Sequence, residues 1–307
     1  MSVRSNVQIT LIEEEDKYEK IQNVNPNVIQ NRPDLLGELH FQLLCLKHKP
    51  DGRKVYIPFK IEGGVCPLYN YMMDIEKSLL DAAMAFLTKK FKVFRFSLWT
   101  FRNIYPKMHK KIEWVLDLPN SYDEYLAQFS RKASYNRRRE IRILNNDYHC
   151  EIKYFSREEI PLDLVHEVIK KKLAKYGAQN NYILTNTWAL LMFFSITDCW
   201  VMELNGKVAA GVFYTTVPNS SETLLVTTFY EPEYEKYCIG IITLYHSIKE
   251  LINKKITRIH MGRNDVDYKK NARCTGHELY VGFITPNPIL YLVHKIRRKL
   301  VKFMKKC

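Results

Sequence analysis

Three groups of residues carry the types and spacing that chemistry needs. The first is Tyr237-Cys238-Ile239-Gly240, between a β-prone run and a helical pattern from Ile241 to Lys254. A strand, a Gly-bearing turn and a helix N-terminus make an anion site, because free backbone N–H groups and the helix dipole point at the ligand. The candidate donors are the amides of Ile239, Gly240, Ile241 and Ile242. A turn that simply requires glycine is the plainer reading of the same residues. The second group is the polar close His260, Arg263, Asn264, Asp265, Asp267, Tyr268 and Lys269. The third is the basic block Arg137-Arg138-Arg139 with Arg142. Guanidinium forks match phosphate bidentately, so the block suits an anionic ligand; it also suits a solvated helix face.

Composition removes several classes. Neither GxxxxGK(S/T) nor GxGxxG occurs, so the fingerprints of the common nucleotide folds are missing. The seven cysteines are scattered singly, with no CxxC, which fits free thiols rather than a disulfide frame or zinc site. The nine histidines form no HExxH pair, so no catalytic metal is expected. No apolar run reaches the ~18 residues of a membrane span, and 1–30 is polar without a secretory apolar stretch, so a cytoplasmic protein is expected. An apolar fraction of 46%, with 20 Tyr and 15 Phe, gives ample core for the 307 residues. The net charge of +14 points to phosphates, nucleic acid or an acidic membrane surface without choosing among them.

The elements that must position these groups follow from pattern. Residues 7–12 read as a strand and Asn23–Pro33 as loop. A hairpin over 36–46 and 55–61 turns at Pro50-Asp51-Gly52, with Pro58 marking an edge strand. Helical spacing over 74–90 leads to a strand at 91–99. A strand at 112–119 precedes a capping box at Ser121 and Glu124, a helix from Tyr122 to about Phe129, and the basic block, which is also expected to be helical. A strand over 149–155 and an amphipathic helix over 162–176, closed by Gly177, follow. After a polar loop at 178–186 and a helix at 188–196 comes a hairpin pivoting on Asn205-Gly206, then strands at 223–230, 257–262 and 278–284. Hairpin, helix, strand over 36–99 repeats this later order in shorter form. The tail from Ile289 to Lys306 is basic and amphipathic.

Four segments resemble the GNAT (Gcn5-related) acyltransferases of the BioF2-like or CelD type, relatives of the FemAB peptidyltransferases. They are Leu116-Asp117-Leu118-Pro119 with the Arg-rich block behind it, the Leu204–Gly211 hairpin, the turn Pro232–Gly240, and the close Ile259–Lys269. The match spans about 112–285; His260 stands where the family has Asp, and Cys238-Ile239 where it has Ser-Pro. The resemblance implies an α/β fold, a GNAT-like mixed sheet with flanking helices in two tandem halves. The expected parts are a reduced N-terminal half at 1–110, the acyltransferase domain at 111–285 with the substrate cleft between the halves, and a basic amphipathic helix at 286–307. It implies acyl transfer, most simply acetyl transfer, from acyl-CoA to an amine of a sugar-like or cell-envelope precursor, without a covalent enzyme intermediate.

On that reading Tyr237, Ile239, Gly240, Ile241 and Lys269 hold the CoA donor, and Tyr268, Asp267 and His260 are the proton-transfer candidates. Arg137, Arg138, Arg263 and Asn264 face the substrate. Plainer roles stand beside these: a packed tyrosine, a surface lysine, a loop-forming aspartate, a satisfied core histidine. One rival is an aminoacyl-tRNA-dependent transferase of the FemAB kind, the one case in which nucleic acid is expected. Another is a non-enzymatic polyanion or membrane-surface module on a degenerate GNAT scaffold. Residues 289–306 would give peripheral contact with the inner face of a membrane, or would pack as an ordinary terminal helix.

Overall fold

The computed structural model describes residues 6–12, 42–68, 75–175, 177, 196–216, 220–263, 266–286, 288–289, 291–293 and 296. The chain divides into two compact units, Met1–Lys111 with Glu278–Cys307, and Ile112–His277.

In the first unit β1 (Val7–Ile12), β2 (Gln42–His48) and β3 (Lys54–Phe59) form an antiparallel sheet in that order. Pro58 has no N–H to donate, and β3 lies at the edge of this sheet. β4 (Val65–Pro67) leads through α1 (Lys77–Phe91) to β5 (Arg95–Thr100), which pairs with β4 in parallel. β4 is too short to leave a pattern in the sequence. Leu44, Leu46, Ile57, Phe59, Leu79, Leu80, Leu87 and Phe96 fill this unit's core, all at 1% exposure or less. The burial of Leu79, Leu80, Ala83 and Leu87 along one stripe of α1 is the 3.6-residue period made physical.

β6 (His109–Asp117) carries the chain into the second unit, where α2 (Tyr122–Ala127) and α3 (Arg131–Asp147) follow. Each helix begins on a serine whose hydroxyl accepts the N–H three residues on: Ser121 from Glu124 and Ser130 from Ala133, both at 3.2 Å. Then come β7 (Cys150–Ser156), α4 (Leu162–Lys175), β8 (Asp198–Leu204) and β9 (Lys207–Thr216). The β8–β9 hairpin turns on Asn205 at φ 51° and Gly206 at φ 77°, the left-handed pair a type I′ turn requires. β10 (Glu222–Tyr230), α5 (Ile239–Asn253) and β11 (Arg258–Gly262) form a parallel crossover. The strand order of this unit is β6-β11-β10-β9-β8-β7.

The second sheet is covered on both faces. On one face α5 contributes Leu244, Tyr245, Ile248, Leu251 and Ile252 against Trp114, Leu116, Val212, Tyr214, Ile259 and Met261. On the other, Val165, Val168 and Ile169 of α4 meet Cys199, Val201, Phe213 and Phe229. Gly211 is required here: a Cβ would lie 2.1 Å from the Phe229 ring that crosses it.

Several boundaries differ from the sequence pattern: β5 begins at Arg95 rather than 91 because α1 runs on to Phe91, and β6 begins at His109 rather than 112 through polar residues. α5 begins at Ile239, two residues before the apolar period becomes visible. The expected polar loop after β11 contains a short helix, α6 (Asp267–Asn271). β12 (Thr275–Ile284) starts earlier than 278 because its first residues are polar; its later part pairs with β5. The expected loops at 23–33 and 178–186 lie outside the described residues, as does the helix at 188–196 apart from Ile196.

Candidate active site

The parallel pair β10–β11 comes apart. Its register runs Glu222↔Arg258, Thr223↔Ile259 and Leu224↔His260, and there it ends, although β10 continues to Tyr230. Immediately beyond, β10 bulges between Leu225 and Thr227, while its far side stays paired to β9 through Tyr230. A bulge interrupts the ladder and increases local twist, so it steers β10 away from β11. The result is a fork whose inner edge on β10 presents backbone groups with no ladder partner among the described residues. Because the strands are parallel, both connections leave at the same end of the sheet, the end at which open α/β sheets receive ligands.

From β10 the chain passes a 3₁₀ segment, Pro232–Tyr237, and enters α5 through Cys238, whose φ of 56° is left-handed. That left-handed residue ends the 3₁₀ segment and caps α5. Ile241 and Ile242 both donate to the Cys238 carbonyl, at 2.9 and 3.0 Å. Of the four expected donors, the amides of Ile239 and Gly240 therefore make no backbone hydrogen bond among the described residues. A Cβ on Gly240 would sit 3.3 Å from the Tyr230 ring, so glycine lets the turn close on the end of β10. Tyr237 is buried; its hydroxyl donates to Asp147 at 2.6 Å and its ring stands edge-on to Tyr148. It fixes the turn to the end of α3.

At the root of the fork lies a buried charge network that pattern reading did not reveal. His260 Nδ1 is 2.9 Å from Glu113 Oε1, and Nε2 is 3.0 Å from Glu222 Oε2. Glu113 and His260 are 1% and 7% exposed. With both ring nitrogens protonated, His260 donates to each carboxylate. Burial works against that charge, but the two carboxylate hydrogen bonds outweigh it and hold the histidine above its ordinary pKa. The same bond, opposed by burial, holds Glu222 below the usual carboxylate range. Arg258 extends the network, its Nε donating to Asp117 at 2.7 Å and its Nη1 lying 3.6 Å from Glu222. Glu113 is 147 positions from His260, a distance over which no local period operates.

Tyr268 and Lys269 ride on α6, just after β11. Tyr268 packs against the α5-side core, and burial pushes its phenol up to about 12. Lys269 is 3% exposed, and its Nζ donates to the Gly262 carbonyl at 3.2 Å. Asp267, in the first turn of the same helix, is exposed. Arg263 is exposed, and Asn264 lies outside the described residues.

The basic block splits. Arg137 is half-buried, its guanidinium 3.4 Å from the Tyr245 ring centroid and 4.3 Å from that of Phe129, with Nη1 buried and without a hydrogen-bond partner. Arg138 and Arg139 face solvent. A further basic group reaches β10: Lys172 of α4 donates to the Thr228 carbonyl beyond the bulge, and burial lowers its pKa to about 8. Among the described residues no group of three or more His, Cys, Asp or Glu is arranged to hold a metal ion.

A helix N-terminus and a forked parallel pair thus lie together at one end of a mixed sheet. Residues 195–270 match the family model described as "Acetyltransferase (GNAT) domain". Over the rest of the chain the likeness is one of fold, to the solved structures that follow. The chain is similar to the crystal structure of FemX (TM-score 0.61, 9% identity, covering 94% of this chain and 100% of that one). It is also similar to the C-terminal domain (DUF2156) of a putative lysylphosphatidylglycerol synthetase from Agrobacterium fabrum (0.59, 10%, 90% and 95%). A third similarity is to a tandem GNAT protein from the clavulanic acid biosynthesis pathway (0.51, 8%, 92% and 99%). No curated protein matches the sequence.

Proposed function

We propose that the second unit binds an acyl-CoA, most simply acetyl-CoA, and passes the acyl group directly to an amine of a sugar-like or cell-envelope precursor. The observation that carries this reading is the parting of β10 from β11 at a bulge, with the helix that follows β10 opening on two amides, those of Ile239 and Gly240, that make no backbone hydrogen bond among the described residues. Those amides, with the positive end of the α5 dipole, suit the pyrophosphate of the donor. Backbone N–H groups on the inner edge of β10, beyond its ladder with β11, suit the oxyanion formed when the amine adds to the thioester carbonyl. The carbon–nitrogen bond forms in that addition, and the carbon–sulfur bond breaks as the oxyanion collapses. The amine proton passes to a base and the leaving sulfur requires a proton.

Tyr268, whose phenol carries its proton at neutral pH as any tyrosine does, is the proposed donor to the leaving thiolate. His260, with Glu113 and Glu222, is the proposed proton-holding group; Asp267 is the exposed alternative. Arg138, Arg263 and Asn264 are proposed to meet the acceptor. Tyr237 and Arg137 act on this reading by shaping the turn and the aromatic wall, and Lys269 by holding the end of β11. The domain organisation belongs to the same proposal: 1–110 is a half without a donor, and 111–285 is the working one.

The alternative is transfer from an aminoacyl-tRNA, supported by the similarity in fold to FemX and by exposed Arg138 and Arg139 on α3. A thermal-shift series with CoA, acetyl-CoA and longer acyl-CoAs tests the first reading. Stabilisation by CoA compounds supports it; no CoA shift, together with a salt-dependent mobility shift of tRNA, supports the second.

A further inference from the structure

We propose that the helix beginning near Ile289 is a docking surface for an anionic lipid bilayer. Ile289, Leu292, Val293 and Ile296 are 75%, 56%, 56% and 50% exposed. Their spacing of i, i+3, i+4 and i+7 places them on one stripe of a helix. Tyr291 lies on the opposite side of that turn and is the residue that holds it down. Its ring packs 6.2 Å from Phe94, and the Arg95 guanidinium lies 5.6 Å from its centroid. Arg95 also covers Phe283 of β12 at 3.8 Å. The helix is thus anchored to its unit by the face away from the stripe. An ordinary terminal helix would bury its apolar stripe and leave the other side in water; here the relation is reversed.

Charge selects the occupant. The sequence intersperses Lys295, Arg297, Arg298 and Lys299 along this segment and continues with Lys302, Lys305 and Lys306, with no acidic residue after Glu278. A sequence rich in cations around an outward apolar stripe is the pattern of a helix lying in a membrane interface, where the apolar side enters the acyl boundary and cations meet anionic headgroups. Nucleic acid would use the cations and leave Leu292, Val293 and Ile296 in water. A second copy of this chain would bring like charge against like charge.

The test uses the full chain in co-sedimentation with vesicles of phosphatidylcholine alone and with one third phosphatidylglycerol. Binding is expected to be about tenfold or more tighter to the anionic vesicles and to weaken with salt. Leu292→Ser combined with Ile296→Ser, which leaves every charge in place, is expected to lower vesicle affinity about tenfold. The thermal midpoint should be unchanged, because both side chains are already exposed. Three results overturn the proposal: no preference for anionic vesicles, full binding by the double variant (as for an RNA-type polyanion site), or lipid-free self-association abolished by the same variant. Acyl-CoA binding measured on both proteins keeps this result separate from the proposed enzymatic reading, since the double variant leaves the second unit intact.

Discussion

Each unit contains a parallel crossover, β4–α1–β5 in the first and β10–α5–β11 in the second, and the two differ where a ligand would meet them. The first pairs Val65–Pro67 with Arg95–Ser97, and β4 is three residues long. The second continues β10 past the last paired position, bulges it, and enters its helix through a left-handed Cys238. Their interiors diverge in the same sense. Among the described residues the buried charged groups are Glu113, Asp198, Glu231, His260 and Lys269, all in the second unit. A buried charge is costly unless paired and is weak evidence for stability. Its confinement to the unit that holds the second crossover marks that unit as the place where something other than packing is selected.

The comparison can be broken most forcefully at the network. Glu113→Ala leaves His260 buried with one of its two carboxylates, and a loss of about 3–5 kcal/mol in urea unfolding is expected. In the first unit, Leu79→Ala should cost about 2–5 kcal/mol through its cavity and leave donor binding by the folded protein unchanged. If Leu79→Ala abolishes acyl-CoA binding while the protein remains folded, the division of labour between the units is wrong.

Next in size is pH. The folded pKa of His260 is raised, so its contribution to stability is fully present below the unfolded value of about 6.5 and is lost as pH rises through the folded value. Glu222 has the opposite sign: its contribution is present above about 4.3 and is lost as pH falls through its depressed folded value. Unfolding free energy measured against pH should therefore fall on the alkaline side of the histidine in the parent chain, and that component should vanish in His260→Gln. The smallest expected effect is at a cap outside both crossovers: Ser121→Ala should cost about 1 kcal/mol by loss of one N–H acceptor.

Much of the second unit's frame was legible because its signals are local. Asn205-Gly206 announces the type I′ hairpin, Ser121 the start of α2, and Gly177 with its φ of 65° the close of α4. The expected tandem α/β arrangement is the one observed, since hairpin, helix and strand recur in both units. The site was legible only in part. Gly240 and Tyr268 stand near visible turns, but Glu113 and Glu222 become partners of His260 only through strand pairing across long sequence separations. The helix start at Ile239 and Gly240 follows the left-handed Cys238, a conformation unusual for a residue with a Cβ and without a sequence signal.

Calorimetric titration of acetyl-CoA into the full chain, repeated with Gly240→Leu, tests the central claim most directly. The side chain added at Gly240 enters the space between the turn and the Tyr230 ring, where a Cβ already stands at 3.3 Å. The account predicts a single site per chain in the parent protein and at least about tenfold weaker binding in the variant, a loss of ~1.4 kcal/mol or more, with the far-ultraviolet spectrum unchanged. Absence of binding to the parent chain, or equal binding by a folded Gly240→Leu, would contradict it.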